Sequence, residues 1–281
     1  MRSLFRLLIL LSAVLFFATS APAFSLKDLK DLASDIKKIR DKVTTEEEIA
    51  MGGNLISGLL GAAPLVDNSE LQQYVNDVGF WVASQSERKS LPWKFGVIDS
   101  NGINAFAAPG GYIVITFGLF NLLENEAQLA GVLAHEIAHV VKKHHLNALQ
   151  KTMKRNFWSK VGTRVMVNDE QDRAAVNKLV NAGVQLYSTG LDRKFEFDAD
   201  LKGVVLAARA GYDPYALLDV MTTIDSINPN EASLTVMLKT HPPTADRLNL
   251  LAQAMDGKLD KYANGQTNNE RFVKVVSASN P

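Results

Sequence analysis

The sequence predicts an α+β fold, predominantly helical, with a small β-sheet set beside one central helix. Three observations carry that expectation. Long segments repeat apolar residues at three- and four-residue spacing between charges. Lys94 to Thr116 instead gathers short apolar and β-branched runs around the turn sequences Ser100-Asn101-Gly102 and Pro109-Gly110-Gly111. The chain has 281 residues and 47% hydrophobic content, enough for one large domain or two small ones.

Taken in order, Leu26 to Arg40 is a short amphipathic helix carrying Leu26, Leu29, Leu32, Ile36 and Ile39 on its apolar face. Thr45-Glu46-Glu47-Glu48 marks a helix start with acids in its first turn, and GGNLISGLLGAAP after it reads as a glycine-rich connector. Asn68 or Ser69 caps a helix to about Gln85, with Leu71, Val75, Val78, Phe80, Trp81 and Val82 giving a broad apolar face. Strands are expected at Lys94–Asp99, Ile103–Phe106 and Tyr112–Thr116, forming a small meander. No breaker interrupts a helix from Asn125 to about His145. Further helices follow at Arg193–Ala210, Tyr215–Ile227 and Thr244–Met255, and the polar residues after Tyr262 read as frayed. The expected organisation is a signal segment at 1–23, an N-terminal helical segment at 24–68, one catalytic domain at 69–258 and a polar tail at 259–281.

Composition narrows the chemistry. Thirty basic and thirty acidic residues cancel, so nothing in the charge balance points to nucleic acid. The chain has no cysteine, which excludes disulfides, thiolate metal ligands and a thiol nucleophile. At the N-terminus, basic MRSLFR, the apolar run Leu7–Phe17 and Ala21-Pro22-Ala23 form a secretory signal with cleavage expected after Ala23. Its apolar run falls short of the roughly 20 residues that a membrane span needs. The expected location is a bacterial periplasm.

The stretch HEIAHVVKKHH, His135 to His145, holds four of the five histidines. In a helix, His135 and His139 project about 40° apart and one turn along the axis, so both can bind one zinc ion. Glu136 beside them can act as general base on the zinc-bound water. A catalytic zinc takes three protein ligands, so one is missing. His145 falls on the last position of the pattern HExxHxxGxxH, but Lys142 stands where that pattern has its helix-breaking glycine. In an unbroken helix His145 would lie roughly 9 Å along the axis and about 120° away from His139, out of reach. His144 points wrongly as well, and both read as polar residues suiting the helix C-terminus.

The missing ligand is expected downstream. KFEFDADLKG starts a helix that carries Glu196 and Asp200 four residues apart on one face. Glu196 can supply the third ligand, and Asp200 can accept the outer N–H of a ligating histidine. The fifth histidine, His241 in THPP, is the natural donor to a developing oxyanion, with Arg247 as the weaker candidate.

Together NAFAAPGGYIVITFGL, HEIAHVVKKH, FEFDAD and THPPTADRL resemble the gluzincin metallopeptidase family. It includes HtpX-type heat-shock membrane proteases, CAAX prenyl proteases and periplasmic quality-control proteases, and the likeness is strongest to the periplasmic members. It spans about Glu46 to Met255 and implies a zincin-like fold, with one zinc on His135, His139 and Glu196. It implies Glu136 as base and Asp200 behind the ligands. It also implies that Asn104, Ala105 and Phe106 form a sheet edge receiving substrate backbone, and that His241 can close the metal's open position and silence the site. The roughly 26 residues after Met255 leave no expectation of the repeat domain of periplasmic members.

The resulting expectation is an exported zinc endopeptidase cleaving unfolded or misassembled envelope proteins. A chaperone-like assembly factor with its zinc capped by His241 is the alternative; an exported amidase is a weaker one. Between Ile137 and Asn168 there is no Asp or Glu. The basic, aromatic segment 142–164 is therefore a candidate contact for anionic lipid or outer-membrane assembly machinery.

Overall fold

The computed structural model describes residues 43–152, 190–241, 245–262 and 264–279, with isolated positions 177, 181 and 183. The signal segment, its cleavage after Ala23, the Leu26–Arg40 helix and residues 153–164 of the basic segment lie outside the described residues.

Helix α1 (Thr45–Ala62) opens with a reciprocal cap. The Thr44 hydroxyl accepts from Glu47 N–H at 3.2 Å, and the Glu47 carboxylate accepts from Thr44 N–H at 2.9 Å. The helix continues through the expected glycine-rich connector. A Cβ on Gly52 would sit 1.7 Å from Pro109 O, so the bare glycine lets α1 lie directly on that turn. Packing there outweighs the roughly 1 kcal/mol helix penalty of glycine.

Helix α2 (Ser69–Ser84) is capped by Asn68, whose side chain accepts from Leu71 N–H at 3.0 Å. Leu71, Val75, Val78 and Val82 are buried and pack toward β1 (Lys94–Ile98). The apolar face is narrower than its sequence suggests: Phe80 is 55% and Trp81 52% exposed. Strands β2 (Ala105–Ala108) and β3 (Tyr112–Thr116) complete the sheet. Its order is β1-β3-β2, with β1 parallel and β2 antiparallel to β3, so the sheet is mixed and not the expected meander. The YIVIT run of β3, buried from Ile113 to Thr116, takes the central position. β2 is left at an edge.

After the short helix α3 (Phe117–Leu122) comes the central helix α4 (Glu126–Val141), capped by Asn125 and buried from Glu126 to Val140. It stops four residues before the expected end. Lys142 caps it, Lys143 turns left-handed at φ 58°, and a new helix α5 (His144–Thr152) begins. A left-handed lysine costs roughly 1–2 kcal/mol. The buried Glu48 carboxylate offsets this by holding Lys143 Nζ at 3.1 Å and Arg88 through two bonds of 2.7 and 2.9 Å. Arg88 Nη1 also donates to Val140 O, a carbonyl at the end of α4. Leu146 and Leu149 then anchor α5 beside Met51 and Leu55 of α1.

Helix α6 (Arg193–Arg209) crosses α4 at close range, because a Cβ on Gly203 would lie 3.0 Å from His135 N. Helices α7 (Ala216–Ser226), α8 (Met237–Thr240) and α9 (Ala245–Met255) follow. The C-terminal residues are not frayed as expected. Helix α10 (Asn269–Ser279) buries Phe272 and Val275 in the main core. The side chains of Arg271 and Asn268 donate to the buried Glu126 carboxylate, which the Tyr74 and Tyr212 hydroxyls also bind at 2.8 and 2.9 Å. Among the described residues, no helix is long and apolar enough to cross a membrane.

Candidate metal centre

Four buried side chains from three segments converge: His135 and His139 on α4, Glu196 in the first turn of α6, and His241 just after α8. One donor atom from each lies within 4.8 Å of all the others. The i, i+4 spacing sets His135 Nε2 3.0 Å from His139 Nε2. Glu196 reaches both, with Oε2 3.6 Å from His135 Nε2 and Oε1 3.5 Å from His139 Nε2. His241 Nδ1 comes to 2.9 Å from Glu196 Oε2.

Electrostatics in this cluster ask for a cation. Burial pulls His135 down, but Asp200 and Glu196 more than reverse that and raise it to about 10. Burial also pushes Glu196 up, yet the His241 charge and the His135 hydrogen bond hold it well below the carboxylate range. His139, pushed down by burial, is neutral and can offer a lone pair. Glu196 Oε1 and Glu136 Oε2 are buried without a hydrogen-bond partner among the described residues. Two imidazoles and a carboxylate whose Oε1 has no hydrogen-bond partner and lies 3.5 Å from His139 Nε2 fit a zinc ion.

Glu136 sits beside this face, its Oε1 3.8 Å from His241 Nε2. Burial raises its carboxyl above the usual range, the direction expected of a carboxylate that accepts and returns a proton. Asp200 stands behind His135, with Oδ1 2.9 Å from Nδ1. Arg247 grips Asp200 at 2.7 Å through both Nε and Nη2, and its Nη1 lies 3.4 Å from Glu196 Oε2. Arg247 thus meets the two carboxylates of α6.

Asn104, Ala105 and Phe106 lie at the start of edge strand β2. Thr240 Oγ1 donates to Asn104 Oδ1 at 3.3 Å, tying this edge to the turn that carries His241. Ala105 also lines an apolar cavity of about 50 Å³ that opens beside His135, Glu136 and His241. Leu119, Val132, Leu217, Val220, Met221, Ile224 and Met237 supply most of the remaining wall.

His144 and His145 are placed differently from expectation. Neither is a solvated imidazolium at a helix end, since both are buried beside His139. Burial pushes His145 down to about 3 and lowers His144 as well. Neither joins the four-donor group. The helix expected to run on to His145 breaks at Lys143, and both rings lie beside His139. His144 Nδ1 instead meets His139 Nδ1 at 3.1 Å, and Asp198 stands 3.2 Å from His144 Nε2. Asp198 was visible in FEFDAD as a third acid between the two singled out. Of the basic segment 142–164, Lys142 pairs with Asp198 and Lys143 with Glu48, while 153–164 lie outside the described residues.

A model of peptidase family M48 matches residues 67–255. Over 234 residues, 81% of this chain, the sequence is 30% identical to the beta-barrel assembly-enhancing protease of Escherichia coli (strain K12), covering 47% of that protein. It is 32% identical over 173 residues to the mitochondrial metalloendopeptidase OMA1 of Arabidopsis thaliana, 61% of this chain and 33% of that protein. The mitochondrial metalloendopeptidase OMA1 of Homo sapiens is 28% identical over 168 residues, 57% of this chain and 32% of its own. The chain spans about half the length of the barrel-assembly proteases that it matches. With the match running from before α2 to the end of α9 and enclosing all four donors, the chain belongs to peptidase family M48, the zinc-dependent metallopeptidases.

Proposed function

We propose that the chain is an exported zinc endopeptidase hydrolysing peptide bonds of unfolded or misassembled envelope proteins, with residues 69–258 as its catalytic domain. The observation that carries this reading is the buried convergence of His135, His139 and Glu196 beside the orphaned oxygen of Glu136. His135, His139 and Glu196 would hold zinc, which would supply a Lewis acid for the scissile carbonyl and lower the pKa of water. Glu136 takes the proton of the attacking water and returns it to the leaving amine. Asp200, clamped by Arg247, holds His135 in the tautomer that presents Nε2. Asn104, Ala105 and Phe106 line the path of the substrate backbone, and the cavity beside Ala105 suits an aliphatic side chain.

Envelope location and clients rest on the secretory pattern and on the likeness to barrel-assembly proteases. A second reading has a specific observation behind it. The 2.9 Å contact of His241 with Glu196 brings it into the donor group, so His241 can close the site at rest, up to the limit of a chaperone-like assembly factor. The test is the Glu136→Gln variant assayed on unfolded casein. Loss of a general base costs roughly 10²–10⁴-fold in rate while zinc content stays at the wild-type level. Zinc-dependent cleavage at the wild-type rate would remove Glu136 from the mechanism.

A further inference from the structure

The two ligand histidines of α4 are backed differently. Behind His135 stands a carboxylate, Asp200, held by the buried Arg247. Behind His139 stands another imidazole. His139 Nδ1 and His144 Nδ1 are 3.1 Å apart, and the rings meet edge to face with centroids 5.1 Å apart. On its far side, His144 Nε2 lies 3.2 Å from Asp198 Oδ2. Lys142 Nζ donates to the other oxygen of Asp198 at 2.9 Å. The Phe195 ring packs against His144 with centroids 4.7 Å apart.

Only one proton arrangement satisfies all these contacts with a metal ligand at one end. If His139 presents the lone pair of Nε2 to the donor cluster, its proton is on Nδ1 and must be accepted. His144 Nδ1 can accept it only in the tautomer protonated at Nε2. The Asp198 carboxylate takes that Nε2–H, and Lys142 braces the carboxylate. The protons thus run in one donating direction from His139 through His144 to Asp198, and Lys142 donates to that carboxylate from the solvent side. This alignment exists because the helix breaks at Lys143; in a continuous helix His144 would face away from His139.

We propose that His144 is a positioning residue for the metal ligand His139, fixing its tautomer and ring orientation, with Asp198 and Lys142 setting the tautomer of His144. The inference rests on the zinc reading of the donor cluster and not on proteolysis. Outer partners of ligating histidines are generally worth about 10–100-fold in metal affinity.

The experiment uses the full chain and zinc alone, with affinity read by competition against a chelating dye. His144→Phe keeps ring shape beside Phe195 but removes the acceptor, and zinc affinity falls roughly 10–100-fold. His144→Asn restores an acceptor oxygen near the Nδ1 position and recovers most of the loss. Asp198→Asn, at a half-exposed side chain, weakens zinc binding by roughly threefold or more and tests the row even if His144→Phe fails to fold. In the zinc-free protein, long-range ¹H–¹⁵N spectra show His139 protonated at Nδ1, and this preference disappears in His144→Phe. Zinc affinity within twofold of wild type in both His144→Phe and Asp198→Asn overturns the proposal. So does equal weakening by Phe and Asn at 144, which marks a packing role.

Discussion

His241 reaches Glu196 from the end of α8, while the other donors stand on α4 and α6, so it can leave the cluster without disturbing those helices. A resting state mostly closed by this residue has a correspondingly small competent fraction. His241→Ala is therefore expected to raise casein cleavage severalfold, measured as initial rate at fixed zinc occupancy. A fall of about 10²-fold would instead make His241 an oxyanion donor with no gating role. At this scale the sequence was legible wherever a helix's own periodicity did the work. Four-residue spacing joined His135 to His139 and Glu196 to Asp200, and the need for a third ligand joined the pairs. His144 and Asp198 were not legible, because their meeting depends on a left-handed turn at a lysine, which no residue preference announces.

The break between α4 and α5 is held by a group far away in the chain. Burial pushes the Glu48 carboxyl up, but its hydrogen bonds and charge interaction with Arg88, then Lys143 and the Gly110 N–H, more than reverse this. Its folded pKa is thus below that of the unfolded chain, about 4.3. Such a group stabilises the fold above that value, and the contribution is lost as pH falls through the depressed folded pKa. Glu48→Gln is expected to cost on the order of 3 kcal/mol at pH 7, since it strips the partner from a mostly buried Arg88 and from Lys143. The gap between variant and wild type, read from urea unfolding, shrinks as pH drops below about 4. A gap independent of pH would mean that the charge of Glu48 does not hold the turn. Element boundaries set by caps, such as Asn68 and Asn125, were readable. The α1 glycines were misleading because their value lies in contact with the distant turn at Pro109.

At the scale of the molecule, α4 is the axis on which the sheet edge, α6, α7 and the C-terminal helix all pack. The predominantly helical α+β class was evident from periodicity alone. The mixed order of the sheet was not, because strand adjacency is decided by which strand can be covered on both faces. The docked α10 was hidden by its polar composition, since its hold on the core rests on Phe272, Val275 and the bonds to Glu126. All of this places Glu196, and not the nearer His145, at the open face of His135 and His139. Zinc affinity of Glu196→Gln compared with His145→Gln tests that placement most directly. Glu196→Gln is expected to lose zinc by orders of magnitude while His145→Gln retains it within a few-fold. Zinc held normally by Glu196→Gln and lost by His145→Gln would contradict it.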